Sequence, residues 1–297
     1  MVAGTESGGV RTVEYVFKCM VCGSAESVAR LSACRDLYLG NPMVVDYVRC
    51  VGCGLVQQHP LPADPGALYS GYPVHEKKSG LHDWFRRSIL KGVYFSPEGL
   101  ATGSRLLDFG CGDGWYLDSV KDSGLQCEGY EFQRNHAARL QSTLGLPIFS
   151  DLDSLVAQRC SSYQAITLHN VLEHVVDPRS TITALARLLA PGGVIFVSVP
   201  NADSWEAKLF GRRWHGLDPP RHISFPSPSI MSAVATSAGL QLDSVKKVPF
   251  PNTSAASLVA ALTGRYNHAL FLLSLPLGLV LSQLAPSGTL AFLMRRP

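Results

Sequence analysis

Three glycines at alternate positions, Gly110, Gly112 and Gly114, follow Asp108 and the apolar pair Leu106-Leu107. Branched apolar residues running into an acid and a glycine turn read as a buried parallel strand that ends just before a helix. Glycine is required there because a Cβ would block positive φ values or the close approach of a ligand to the backbone. The Asp-x-Gly-x-Gly-x-Gly spacing differs from the Gly-x-Gly-x-x-Gly of dinucleotide folds, and no Lys-Ser/Thr follows to make a P-loop. The chemistry indicated is the holding of a nucleoside cofactor without a pyrophosphate. Glu131 ends a short strand over 126–131, about 20 residues on, where a ribose diol lies in a doubly wound sheet. Its carboxylate can accept hydrogen bonds from both vicinal hydroxyls.

A second constellation is formed by two Cys-x-x-Cys-Gly halves, Cys19 to Gly23 and Cys50 to Gly54. The two-residue spacing lets both thiolates of a half reach one ion, and the glycine lets backbone amides turn toward the sulfurs. Cys19, Cys22, Cys50 and Cys53 therefore suit a tetrahedral zinc ion. Four protein ligands leave no open coordination position, so the expected role is folding and not catalysis. Cys34, Cys111, Cys127 and Cys160 lack such pairing and are expected to be core thiols. Beyond the glycine turn, His169, His174 and His222 offer side chains that titrate near neutral pH and are candidates for a general base.

These groups need a scaffold. Strand-like runs at 126–131, 147–151, 165–170 and 194–199 follow the glycine-turn strand, separated by helix-period segments such as 181–189, which Pro191-Gly192-Gly193 stops. Alternation of this kind implies a parallel sheet with helices on both faces. His169 and His174 then flank the end of the fourth strand, where the ligand crevice of an open α/β sheet lies. His222 belongs to Asp218-Pro219-Pro220-Arg221-His222, after an aromatic stretch with Trp205, Phe210, Trp214 and His215 that could form a lid. A proline-rich link at 57–65 precedes Tyr69-Ser70-Gly71-Tyr72, and 81–93 reads as an amphipathic helix. Further on, 230–240 reads as a helix and 240–250 as a sixth strand.

Asp108 to Gly114 resembles motif I of the class I S-adenosylmethionine-dependent methyltransferases. Val171-Leu172-Glu173-His174-Val175-Val176-Asp177-Pro178 closely resembles a stretch of the group that includes ubiquinone-biosynthesis O-methyltransferases, and residues 188–201 are again family-like. The resemblance extends from about 105 to 199. It implies an α/β fold, a Rossmann-like seven-stranded methyltransferase sheet, here with a small N-terminal four-cysteine zinc module. The implied seventh strand is 289–294, antiparallel to the sixth. S-adenosyl-L-methionine is the implied cofactor. Asp108, Gly110, Cys111, Gly112 and Gly114 would lie around its methionine part, Glu131 on the ribose, Asp151 near the adenine amino group, and Asn170 beside them at the end of the fourth strand. Gln164 stands where relatives carry an acid.

The zinc-ribbon-like start, the proline-rich link and the paired tyrosines resemble bacterial methyltransferases that modify sugars, lipids or natural products. In some relatives, including small-RNA 2′-O-methyltransferases, a Glu-x-x-Glu-His stretch and a distant histidine bind a divalent metal. The matching positions here are Asn170, Glu173, His174 and His222. Asn170 removes one charged ligand, and Mg2+ at Glu173, His174 and His222 is what the likeness implies. The reading that follows is O-methylation of a small-molecule, sugar or lipid-linked acceptor with His222 as base. Two others stay open: C-methylation of a nucleotide-linked sugar, and a non-catalytic cofactor-binding scaffold.

Bulk properties bound these readings. With 297 residues and 46% hydrophobic content the chain can hold one large α/β domain and a small module. A net charge of +3 is too mild for nucleic acid, and basic residues run no longer than pairs such as Arg212-Arg213. Residues 1–13 carry no apolar signal core, so a cytoplasmic, reducing setting is expected. The most lipophilic stretch, 268–281, falls short of the roughly 18 apolar residues of a spanning helix and contains Pro276, expected to break it. An interfacial or re-entrant helical pair making peripheral membrane contact through 268–284, a hydrophobic substrate surface, a homodimer surface and ordinary burial against the sheet are its readings. The expected division is a flexible 1–14, a zinc-ribbon-like module 15–60, a linker with helices 61–104, and the catalytic domain 105–297 with an apolar insertion at about 254–286.

Overall fold

A computed structural model describes residues 16–69, 94–284 and 288–297. Tyr72, the helix expected at 81–93 and the segment 1–14 lie outside the described residues. The strands are β1 (Ser27–Arg35), β2 (Val44–Cys50), β3 (Val56–His59), β4 (Arg105–Phe109), β5 (Gln126–Tyr130), β6 (Ile148–Phe149), β7 (Tyr163–His169), β8 (Leu189–Pro200), β9 (Ser224–Phe225), β10 (Gln241–Val248) and β11 (Thr289–Arg295). The α-helices are α1 (Trp115–Val120), α2 (Arg134–Leu144), α3 (Leu152–Arg159), α4 (Pro178–Leu188), α5 (Trp205–Phe210), α6 (Pro228–Ser237), α7 (Pro251–Thr263) and α8 (His268–Leu284).

Seven strands form one sheet in the order β10-β11-β8-β7-β4-β5-β6. Only β11 runs against its neighbours, pairing antiparallel with both β10 and β8. The strand at its centre, β4, shows why both faces must be covered. Its successive residues Leu106 and Leu107 are fully buried although a strand sends them to opposite sides. Leu106 packs with Tyr116 and Leu117 of α1 and Leu140 of α2, while Leu107 packs with Leu155 of α3, Ile182 of α4 and Met231 of α6. Asp151 and Asp177 cap α3 and α4, accepting from Ser154 N at 2.8 Å and Ser180 N at 2.9 Å. The order reverses between β4 and β7, so the crevice of this sheet opens beyond the ends of those two strands.

The smaller sheet is antiparallel, in the order β1-β2-β3-β9. Its last strand comes from the far side of the sequence: Val56 faces Phe225 and Gln57 faces Ser224. Tyr47, Val56, Trp214, Leu217 and Phe225 form its core, so residues 205–225 are packed into the N-terminal module. Sequence periodicity predicts β2 within 38–49 but gives no signal for β1, whose pairing is irregular and interrupted by two register shifts.

Two expectations need correction. Cys160 is exposed, in contrast to buried Cys34, Cys111 and Cys127. Pro276 does not break the apolar segment, because α8 runs through it from His268 to Leu284. The helix gives up the one hydrogen bond that proline cannot donate and keeps its course.

Candidate active site

The glycine turn closes β4. Gly110, Gly112 and Gly114 have φ values of 77°, 54° and 75°. Two of them are fixed by space as well: a Cβ on Gly110 would fall 2.7 Å from Val171 Cγ2, and one on Gly114 would fall 2.8 Å from Leu144 Cδ1. Amides of Gly110 and Cys111 both donate to Tyr130 O, at 2.8 and 3.0 Å, which ties the turn to the end of β5. There Glu131 lies buried, with Oε1 accepting from Gln133 N at 3.1 Å. Burial raises the Glu131 pKa, against opposing backbone hydrogen bonds. A shallow cradle of positive-φ backbone facing a buried carboxylate fits an adenosyl cofactor with a vicinal diol.

Asp108 is committed inward. Its Oδ1 accepts from Thr167 Oγ1 at 2.7 Å and lies 3.3 Å from His169 Nδ1. Nε2 of His169 in turn accepts from Phe95 N at 3.1 Å. Nδ1 of His169 thus braces β7 against β4 and Nε2 holds the segment at Phe95, so both ring nitrogens are engaged within the protein. Asp151 spends one oxygen on the cap of α3. Asn170 has φ 55° and takes a 3.4 Å hydrogen bond from Ser198 Oγ, holding the turn that leads from β7 into the one-turn helix Leu172–His174.

That turn brings the other candidates together. Glu173, His174 and His222 present ligand atoms all within 4.8 Å of one another, and the two imidazole rings stand edge to face at 4.6 Å. His174 Nδ1 lies 2.9 Å from Arg221 O and His222 Nδ1 lies 2.8 Å from Gly216 O. A carbonyl can only accept, so each ring carries its proton on Nδ1 and turns an Nε2 lone pair inward. Burial drives the His174 pKa down to about 3, aided by His222 beside it, and lowers that of His222. Both are neutral at pH 7, as a proton acceptor must be. Glu173 is fully buried, and neither carboxylate oxygen has a hydrogen-bond partner among the described residues. Burial pushes its pKa up to about 8; the Asn170 amide offsets part of the rise without closing a hydrogen bond.

What holds the pair was not visible in the sequence. Arg221, almost wholly buried, donates through Nη1 to Asp36 Oδ2 at 2.8 Å and through Nε to Asp218 Oδ2 at 2.9 Å. Although burial works against it, Arg221 keeps both carboxyls below the usual range. Tyr47 Oη donates to His222 O at 2.8 Å. Ile223 N donates to Glu173 O at 2.6 Å while Gln58 N donates to Ile223 O at 2.8 Å, so β3, residue 223 and the Glu173 turn are laced side by side. Asp36, Tyr47 and Gln58 belong to the N-terminal module, which thus supports one wall of the site. Tyr69 bridges the two halves, its ring 5.6 Å from His174 and 6.0 Å from Phe132, the residue after Glu131.

The four cysteine sulfurs also converge. Cys19 and Cys53 are 3.5 Å apart, as are Cys22 and Cys50, and all four lie within 4.8 Å. Tetrahedral ligands at about 2.3 Å would stand about 3.8 Å from one another. Gly23 and Gly54 donate back to Cys19 O and Cys50 O at 3.0 and 2.9 Å with φ of 74° and 79°, and a Cβ on Gly52 would crowd Cys22 Sγ at 3.4 Å. The set fits a zinc ion.

Comparison with known proteins bears on the family and the fold. The profile of the methyltransferase domain family matches residues 81–245. A ubiquinone biosynthesis O-methyltransferase of Xanthomonas axonopodis pv. citri (strain 306) is 31% identical over 169 residues, 51% of this chain and 69% of the relative. The protein of that name from Ralstonia nicotianae is 28% identical over 216 residues, 68% of this chain and 82% of the relative. Among solved structures, Burkholderia thailandensis 1,6-didemethyltoxoflavin-N1-methyltransferase superposes with a TM-score of 0.52 at 14% identity, covering 88% of this chain and 99% of that one.

Proposed function

The chain belongs to the methyltransferase domain family, and from that premise we propose that it moves the methyl group of S-adenosylmethionine to a hydroxyl oxygen of a small-molecule, sugar or lipid-linked acceptor. It is a class I S-adenosylmethionine-dependent enzyme by family; the acceptor atom and the residue roles are the proposal. Bound S-adenosylmethionine supplies a methyl carbon already activated by a sulfonium, so the protein's task is positioning and proton removal. The turn Gly110 to Gly114 and Glu131 orient the donor. His222, supported from Gly216 O, turns Nε2 to the acceptor. Nε2 of His222 would accept the acceptor's hydroxyl proton while a cofactor held by the glycine turn and Glu131 would supply the methyl group and keep the sulfur electron pair. S-adenosylhomocysteine and the methylated acceptor leave. The observation that carries this reading is the pair of neutral imidazoles, each with Nδ1 locked on a carbonyl, set across Tyr69 and Phe132 from Glu131.

A divalent cation at Glu173, His174 and His222 is a second reading, favoured by the unpartnered Glu173 oxygens. Two imidazoles and one carboxylate suit a transition ion such as Mn2+ better than Mg2+, which prefers oxygen ligands. It would supply charge to the acceptor oxygen. The Tyr69–His174 contact is also what C-methylation of a nucleotide-linked sugar would use for acid/base work. Zinc at Cys19, Cys22, Cys50 and Cys53 is proposed as structural in every case.

Calorimetric titration with S-adenosylmethionine and S-adenosylhomocysteine, followed by turnover on a panel of hydroxylated acceptors, tests the reading. Glu131→Ala should weaken cofactor binding at least about 10-fold, the loss of a charged hydrogen bond pair. His222→Ala should cut turnover by about 100-fold or more with cofactor affinity unchanged. Unchanged turnover would remove His222 as base, and a product methylated at carbon would replace the O-methylation reading.

A further inference from the structure

The helical hairpin between β10 and β11 has its apolar surface on the outside. Residues 251–284 contain one charged side chain, Arg265, in the turn between α7 and α8. The side of α8 that meets α7 is small and partly polar, with Ser274, Gly278 and Ser282 spaced four apart. A Cβ on Gly278 would lie 2.7 Å from Pro251 O and 2.8 Å from Ala255 Cβ, and Ser274 Oγ donates to Ala255 O at 3.3 Å. The leucines go the other way: Leu270, Leu273, Leu277 and Val280 are 41, 77, 49 and 53% exposed. A helix in water turns its leucines to its neighbour and its serines to solvent. Close backbone contact through serine and glycine, with leucines outward, is how helices pack when lipid surrounds them.

Spanning does not suit this pair. The two helices have 13 and 17 residues, and among the described residues no helix is long and apolar enough to cross a membrane. Lying on a surface is the arrangement that fits these lengths. The charge around its turn selects which surface. Arg265, and Arg212 and Arg213 of the adjacent one-turn helix Gly211–Arg213, are exposed. Tyr38 joins the two, its hydroxyl donating to Arg213 O at 3.4 Å and its ring 5.7 Å from Tyr266, which itself donates through its backbone to Leu37 O at 2.8 Å. Residues 251–284 include no acid. A second copy meeting this patch about a two-fold axis would set arginines against arginines and offer no compensating charge.

We propose that the α7–α8 hairpin docks the protein on an anionic lipid bilayer surface, with the α8 leucines seated at the headgroup boundary and Arg212, Arg213 and Arg265 on acidic headgroups. The inference does not depend on which acceptor is methylated. Flotation of the full chain with phosphatidylcholine vesicles, with and without phosphatidylglycerol, tests it. The protein should rise with the phosphatidylglycerol vesicles, and added salt should weaken the association. The double variant Leu273→Glu/Leu277→Glu should stay soluble while keeping its cofactor affinity, because both positions are exposed. Arg212→Glu/Arg213→Glu/Arg265→Glu should lower partitioning by about 100-fold, the combined effect of three basic residues at such a surface. A wild-type protein that never floats, or variants that float as well as it does, would overturn the proposal. So would light scattering that finds a dimer dissolved by Leu273→Glu/Leu277→Glu in a protein that ignores vesicles.

Discussion

Glu173 is a fully buried carboxyl with no hydrogen-bond partner among the described residues. Its pKa, lifted by burial to about 8, makes the folded state hold a proton that the unfolded chain releases near 4.5. The sign follows: this group favours folding fully below pH 4.5, and that contribution fades as pH rises toward 8. The histidines act in the opposite sense. His174, pressed by burial down to about 3, stays neutral when folded, while the unfolded chain takes up a proton below 6.5, so stability falls as pH drops through 6.5. Glu173→Gln mimics the protonated carboxyl and removes the cost of charging it. In buffer without added divalent cations the variant should melt about 2–4 °C higher than wild type at pH 8, the shift expected for ~1 kcal/mol in a chain of this size. The difference should shrink at pH 5, and turnover should fall at both. Thermal melts at the two pH values check it. Of this site the sequence displayed His174 and His222 by residue type, and Glu173 through the resemblance to metal-binding relatives. It could not display the neutral tautomers, which depend on carbonyls at 216 and 221 that no side-chain pattern encodes, nor the inward commitment of His169 to Asp108 and Phe95.

At the scale of elements, the glycine turn and the histidine turn are one packing unit. Val171, which opens the turn carrying Glu173 and His174, fills the space where Gly110 has no Cβ. Gly110→Ala combines a positive φ of 77° with two contacts under 3.0 Å to the Val171 methyls. The left-handed backbone costs about 1–2 kcal/mol and overpacking a further 1–3 kcal/mol. The expected outcome is a loss of about 2–5 kcal/mol in denaturant unfolding and a weaker cofactor complex, because relief requires the 171–174 turn to move. A variant as stable as wild type would mean that the two turns are independent. The central strands β4, β7 and β8 were readable because they are buried on both faces, with Gly110 closing β4 and Pro191 to Gly193 ahead of the apolar core of β8. What stayed hidden were elements whose reason to form lies elsewhere in the chain. β9 is two residues long and exists by pairing with β3. β1 alternates irregularly and closes on β2 through register shifts. The helical course of α8 across Pro276 depends on the serine and glycine face that α7 accepts.

For the whole molecule, the consequence is that the cysteine module and the methyltransferase sheet cannot be treated as separate bodies. Cys50 ends β2, the strand that carries Tyr47, and β3 follows directly after Cys53. Through Tyr47 Oη on His222 O, Gln58 N on Ile223 O and Asp36 on Arg221, these strands hold the 216–225 segment that presents His222. The glycine turn and Glu131 lie at the ends of β4 and β5 in the other sheet, and are linked to this segment through Val171 on Gly110 and Ile223 N on Glu173 O. A zinc ion bound by four thiolates contributes its binding free energy to folding, so its loss frees the module first. Chelation, or Cys22→Ser, should therefore separate two functions that a single rigid body would lose together. Turnover should fall about 100-fold or more as His222 loses its support, and affinity for S-adenosylhomocysteine should change by less than about 3-fold. The scale of the first effect is that of losing a positioned base, and of the second that of a site reached through an intervening turn. Metal analysis by atomic emission should give one zinc per chain before treatment. Equal losses of turnover and cofactor affinity would show that the module also shapes the cofactor crevice, and unchanged turnover would show that residues 216–225 hold their place without it.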